Sequence, residues 1–333
     1  MKIRSFLAIA LIPQILIVNF LKYNPSFIED YYVRFIFNNL IKINSFLFSK
    51  IEIPIGEIIY LIIIIFYIYL LVKVISCKLP DFINLLAFTS ILYFLFYFIW
   101  GLNYFKPSIV DKLNIKSEYE FDILDETINK VIFEINYESS FLDKDINRSD
   151  ILDIINPTNS NIKKSIIPDV FLYQRVSGHY VPFTSEAIFV NKIPLVDMPV
   201  VILHEQAHQS GYADEGEASF IAFSKAIKNK EPYIRYSGYF YALTNLLNEI
   251  SKKKPDKLDN YIIKLDKKVL SDIKTVKNFW SKYSDNFLDK AQNYIYDLYL
   301  KSNNQEAGIM TYGKVSLYII HYYQEDESTK FIY

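Results

Sequence analysis

Histidine is scarce in this 333-residue chain, four in all, and two of the four stand four residues apart with an acid between them. The stretch reads Asp197-Met-Pro-Val-Val-Ile-Leu-His204-Glu205-Gln-Ala-His208-Gln-Ser-Gly211-Tyr-Ala-Asp214-Glu215-Gly-Glu217-Ala-Ser219-Phe. On a helix, positions i and i+4 share a face with their Cβ atoms about 5–6 Å apart, so both imidazoles can turn a ring nitrogen toward one metal ion. Glu205 lies beside that face, where it reaches water at the ion rather than the ion itself. Two histidines and one carboxylate leave a fourth position open, the arrangement of a catalytic zinc site rather than a structural one. A zinc ion held this way lowers the pKa of water toward neutrality. Glu205 then accepts the proton and passes it to a leaving amine, so the chemistry expected is peptide-bond hydrolysis.

Three acids compete to complete the ligand set. Asp214 followed three residues later by Glu217 makes a capping-box pattern at the start of a helix, which occupies both without a metal. Glu215, in the first turn of that helix, is then free to point back at the ion and is the favoured third ligand. Glu217 is one rival; Asp214 is the other, because its spacing from His208 matches a short metal-binding loop.

These residues demand particular elements. Asp197 and Pro199 suit a helix start, four apolar residues before His204 bury that helix, and Gly211 suits a left-handed stop. The spacing therefore predicts helix, sharp turn and second helix within a few residues of His208. The apolar run before His204 reaches back only to Met198, too short to cross a bilayer, which argues against a site inside the membrane.

The rest of the chain divides by composition. Residues 1–105 carry eight Lys/Arg and five Asp/Glu, against 28 and 32 in the remainder. Three apolar runs in the first part read as membrane spans near 5–21, 56–76 and 82–104, the last with Trp100 and Tyr104 placed for an interfacial aromatic belt. The first is read as an uncleaved anchor, since no small-x-small cleavage site follows it. Between the first two, Tyr32, Phe35, Ile36, Leu40, Ile43, Phe46 and Leu47 predict an amphipathic helix over about 27–50. It lies on the membrane or packs on the bundle, or else docks on the following domain. Lys2, Arg4, Lys73 and Lys78 crowd into short segments, whereas Lys22, Arg34, Lys42 and Lys50 spread along a longer one. That asymmetry predicts a multi-pass protein of the cell membrane with its C-terminal domain on the extracellular side.

Residues 1–106 are thus read as a membrane domain with the lipid bilayer as partner, and 107–333 as a second domain. In the latter, residues 117–139 predict an amphipathic helix, and Val170–Tyr173 and Ala187–Val190 read as β-type runs. Nearly everything after Val196 is expected to be helical, with long segments near 258–300 and 314–323. The single cysteine, Cys77, excludes intramolecular disulfides and cysteine-based zinc clusters. A net charge of −1 with only eight glycines argues against nucleic acid as a partner and against phosphate-binding loops.

The chain also resembles, over essentially its whole length, a bacterial membrane family known as domain of unknown function 3810. The resemblance is carried by Glu29-Asp-Tyr-Tyr32, Ile53-Pro-Ile-Gly-Glu57, Trp100-Gly-Leu-Asn-Tyr104, Val181-Pro-Phe-Thr-Ser-Glu-Ala187, the His204–Phe220 motif, and Leu300-Lys-Ser-Asn303 through Tyr312-Gly313. It implies a mainly α architecture: a three-helix transmembrane region plus an α+β, zincin-like metallopeptidase domain with a small edge sheet. The second helix of the motif is similar to the glutamate helix of thermolysin-like peptidases, where an Asp or Asn follows the ligand Glu by four residues. Here that position is Ser219, whose hydroxyl can still accept an imidazole N–H. The same comparison implies that Gly178–Asn191 is an edge strand for an extended peptide or protein substrate. Glu186 on it either meets a substrate N-terminus or faces solvent. Tyr312, or His179 in its place, is implied as an oxyanion stabiliser, while His321 reads as structural. The alternative function is a non-catalytic metal-binding sensor or scaffold of the same fold.

Overall fold

Long runs of Ile, Leu, Tyr and Phe without charge bury or meet lipid but are not solvated along their length, and in the computed structural model three of them are helices long and apolar enough to cross a membrane. The structure describes residues 2–75, 78–113, 115, 118–142, 146–156, 161–303 and 314–324. The chain opens with α1 (Lys2–Lys22), followed by the single turn α2 (Pro25–Phe27), a π-wound helix (Ile28–Phe37) and α3 (Asn38–Phe48). The other two long helices are α4 (Ile55–Val74) and α5 (Leu79–Ile99), after which Gly101–Phe105 makes a 3₁₀ turn.

Polar side chains of α1 and α5 meet across the helix pair. Gln14 donates to the Ser90 hydroxyl at 3.2 Å and Arg4 to Asn84 at 3.2 Å, which sets α1 and α5 parallel. On α4, Phe66 packs edge-on against Phe88 at 4.9 Å, and the Tyr67 hydroxyl meets Thr89 at 3.1 Å. The starts of α1 and α5 and the end of α4 therefore share one end of the bundle, carrying Lys2, Arg4, Lys73 and Lys78.

The predicted single helix over 27–50 is instead three differently wound pieces. A wider π turn brings residues five apart onto one face. Tyr32 and Phe37 accordingly both point inward with Ile28 and join a cluster with Val18, Trp100, Phe105 and Ala213. The inner face thus docks on the following domain, while Phe35, Ile43 and Phe46 stay exposed on the outer face.

Beyond the 3₁₀ turn come α6 (Ile109–Leu113), α7 (Phe121–Ser139), α8 (Arg148–Ile155), β1 (Ile162–Lys164), α9 (Pro168–Tyr173), β2 (Gly178–Val181) and β3 (Glu186–Phe189). The helices α10 (Met198–Gln209), α11 (Glu215–Ile227), α12 (Pro232–Lys253), α13 (Leu258–Ile262), α14 (Lys267–Ser281), α15 (Phe287–Ser302) and α16 (Lys314–Gln324) follow. The strand expected at Val170–Tyr173 is the short helix α9. Pro168 in its first turn fixes a helical φ there, and Asp169 suits the positive end of the helix dipole.

The sheet order is β1-β3-β2. β1 runs parallel to β3 with Ile162 opposite Ala187, and β2 runs antiparallel with Gly178 opposite Phe189. The segment expected as one edge strand is therefore two strands, of which β2 is the edge and the fully buried β3 is central.

Two apolar clusters hold this domain. Leu124, Ile128 and Val131 of α7 pack with Phe223 of α11, Leu243 and Leu246 of α12, and Ile319 of α16. Ile202 and Leu203 of α10 pack with Phe189, Val190 and Ala222. Each such large side chain contributes about 1.5–3 kcal/mol when fully buried. α11 and α12 approach closely at Gly238, where a Cβ would lie 2.8 Å from that of Ala226.

Asp197, just before α10, makes no cap hydrogen bond with its side chain. Burial pushes its carboxyl up to about 7, with Asp272 adding to the rise and a hydrogen bond from Trp280 opposing it. A carboxyl harder to ionise in the fold than in the unfolded chain, where it titrates near about 3.9, costs stability as pH rises. The cost is absent below the unfolded pKa and complete above about 7. Asp197→Asn should therefore shrink the fall in Tm between about pH 4 and pH 7, read by thermal unfolding of parent and variant in the same detergent.

Candidate metal centre

α10 and α11 are joined by five residues whose conformations are individually specified. Gly211 turns the chain at φ +87°, where a Cβ would also lie 2.8 Å from the Phe37 ring. Tyr212 N–H then closes on the Ala207 carbonyl at 3.1 Å. Asp214 caps the new helix by accepting from Glu217 N–H at 3.0 Å. Glu215, the first residue of α11, is thereby placed opposite the turn of α10 that carries both histidines.

The three side chains converge. Glu215 Oε2 lies 3.1 Å from His204 Nε2 and 3.4 Å from His208 Nε2, and the three atoms fall within 4.8 Å of one another. The imidazoles are perpendicular, with ring centres 4.6 Å apart. Each ring is oriented from behind. His208 Nδ1 lies 2.7 Å from the Tyr212 carbonyl, which only accepts, so Nδ1 holds the proton and a neutral ring keeps its lone pair on Nε2. His204 Nδ1 lies 3.2 Å from the Ser219 hydroxyl. Glu215 uses its other oxygen, Oε1, to accept from the Tyr296 hydroxyl of α15. Each of the three thus brings one potential ligand atom to the same place, and the group could hold a metal ion.

The charge balance follows from burial. Burial alone would raise Glu215, but His208 and His204 beside it hold the carboxyl well below its usual range. Burial would lower His208, yet the facing Glu215 raises it to about 9. His204 stays below its ordinary value because burial prevails there. Glu205 is buried too, and this pushes it up to about 8. Its Oε2 has no hydrogen-bond partner, and it sits over Gly178 of β2, where a Cβ would lie 2.8 Å from Oε1.

The other expected residues are elsewhere. Asp214 is the helix cap, and Glu217 turns away to accept from Ile109 N–H at 2.6 Å, so the second half of the capping box is not made. Glu186 neither faces solvent nor awaits a substrate terminus. It is fully buried and caps α4, accepting from Ile55 N–H at 3.1 Å and Gly56 N–H at 2.6 Å. His179 stacks on Phe171 at 4.3 Å with Nε2 3.4 Å from Glu57 Oε1, and burial lowers it to about 4. His321 lies in α16, and Tyr312 lies outside the described residues.

Three contributors were not legible in the sequence. Tyr296 is 81 residues from the carboxylate it holds, with no local pattern to mark it. Gly178 is a close-approach glycine that looks like any strand breaker. Trp100, expected at a lipid interface, is buried instead: its indole N–H reaches the His208 carbonyl at 3.3 Å, and its ring stands edge-on to the imidazole at 6.1 Å.

Removing the Tyr296 hydroxyl frees one oxygen of Glu215. Tyr296→Phe should weaken metal affinity about 10- to 100-fold in a competitive chelator titration, while His204→Ala should abolish stoichiometric binding. Gly178→Ala should displace Glu205 and leave metal content near that of the parent, read by elemental analysis.

Neither the curated proteins nor the solved structures contain a match to this sequence. A family model, Protein of unknown function (DUF3810), matches residues 32–320. That span runs from the π-wound helix through α4, α5 and the paired helices α10 and α11 to α16, and the chain belongs to the DUF3810 family.

Proposed function

We propose that the protein is a membrane-anchored, zinc-dependent metallopeptidase with a zincin-like domain. The observation that carries this reading is the convergence of His204 Nε2, His208 Nε2 and Glu215 Oε2, each ligand oriented by a partner on its other atom. Ligand atoms each about 2.0–2.1 Å from a tetrahedral zinc ion lie roughly 3.3 Å apart. The separations of 3.1 and 3.4 Å fit that spacing. Two imidazoles and one carboxylate are also the donor set of a hydrolytic rather than a structural site.

Zinc bound there supplies Lewis acidity and a water of lowered pKa. The chain supplies the rest. Glu205, fixed between α10 and Gly178, takes a proton from the attacking water and returns it to the departing amine. Its buried, unpartnered Oε2 favours an enzyme over a scaffold, because a purely structural site has no use for a desolvated acid beside its ligands. As the edge strand, β2 offers backbone groups to an extended peptide that would pass alongside Glu205.

In this reading α1, α4 and α5 span the cell membrane, the end bearing Lys2, Arg4, Lys73 and Lys78 is cytoplasmic, and the hydrolytic domain lies outside.

Glu205→Gln keeps the size of the base and removes its function. The full-length variant in detergent should bind zinc at the parental ratio and lose at least about 100-fold in hydrolysis of a fluorogenic peptide library. Full activity in that variant refutes the assignment, and zinc-loaded parent protein that cleaves nothing favours the sensor or scaffold.

A further inference from the structure

We propose that α15 is seated in the bilayer surface, with lipid covering its outer face. This rests on the reading of α5 as a membrane span. Phe287, Leu288, Tyr294, Ile295 and Leu298 are 81, 41, 69, 63 and 51 % exposed. At 100° per residue they occupy one sector about 120° wide. Leu300, on the opposite side, is fully buried. Lys290, Asp297 and Lys301 border the stripe, where long side chains reach back to water from an interfacial helix. A stripe of this size on a 16-residue helix exceeds what scattered surface apolar residues produce.

The position of α15 says what covers it. Its last turn is joined to the last turn of α5. The Tyr299 ring stands edge-on to Phe96 at 6.1 Å, its hydroxyl accepts from Tyr104 at 3.1 Å, and the Tyr97 hydroxyl donates to Asn303 at 3.0 Å. Phe94 and Phe98 of α5 are themselves exposed on the outer surface of the bundle. A helix fastened at the end of a span continues the lipid-facing surface of that span. The face turned away from lipid carries Tyr296, which holds Glu215. One rigid helix therefore meets the membrane on one side and orients a metal ligand on the other.

The test uses the full chain with Cys77→Ser, reconstituted in phosphatidylcholine/phosphatidylglycerol nanodiscs, with an environment-sensitive fluorophore at one introduced cysteine. Ile295→Cys and, independently, Leu298→Cys report on α15; Ile64→Cys reports on α4; Lys274→Cys on α14 reports on water. A shallow doxyl quencher should cut fluorescence about twofold or more at 295 and 298, a deep doxyl quencher should do so at 64, and neither should change 274. Quenching at 64 with water-like emission at 295 and 298 overturns the seating of α15 alone. Blue-shifted emission at 295 and 298 without quenching also overturns it, since a second copy or another protein then covers the stripe. No quenching at 64 removes the span reading and this inference together.

Discussion

The structure depends on one carboxylate held between two imidazoles. Glu215 lies buried 3.1 and 3.4 Å from His204 and His208 Nε2, and a buried acid without such partners would carry a desolvation cost of several kcal/mol. Keeping it there requires α10 and α11 to meet at a fixed offset, which Gly211, Tyr212 and Asp214 set. It also requires Tyr296 to occupy the second oxygen and Ser219 and Tyr212 to orient the rings. A change in any of these leaves a buried polar atom unpaired, so the elements carrying them are held in mutual register by the same group.

The same rule ties the apolar helices to this domain. Glu186, buried in the central strand, caps the first two backbone N–H groups of α4, whose dipole favours an anion at that end. Glu57, one residue further, accepts from Ile166 N–H at 2.8 Å. Lys163 of β1 reaches the Phe48 carbonyl at 2.9 Å, at the end of α3. Gly56 admits this fit, because a Cβ there would come within 2.7 Å of Glu186 and Thr184. Just past the end of α5, on the same side of the bundle as the start of α4, Trp100 rests on His208. The His204, His208 and Glu215 cluster therefore lies against the termini of α4 and α5.

Periodicity and spacing were informative where the physics is local. The apolar runs became α1, α4 and α5 within a few residues of their expected limits, and the short-range signals of Pro199, Gly211 and Asp214 marked the helix pair. The capping pattern favoured Glu215 over Asp214 and Glu217 without excluding either; the cap at Asp214 is made, while Glu217 is engaged elsewhere. The residue that departs most from a local expectation is Glu217, whose carboxylate answers the backbone of α6, 108 residues away. Val170–Tyr173 failed as a strand because a proline and an acid at its start outweigh β-branched and aromatic propensity over so short a run.

By itself the sequence determined which residues could ligate, which helix face they share, and which segments are too apolar for water. Each of those follows from side-chain chemistry and a helical repeat of a few residues. Only the tertiary structure decided that Glu186 caps a helix, that Trp100 packs on His208, and that Tyr296 steadies Glu215. Those outcomes come from satisfying buried polar groups across separations of 81 to 130 residues, which no local pattern encodes.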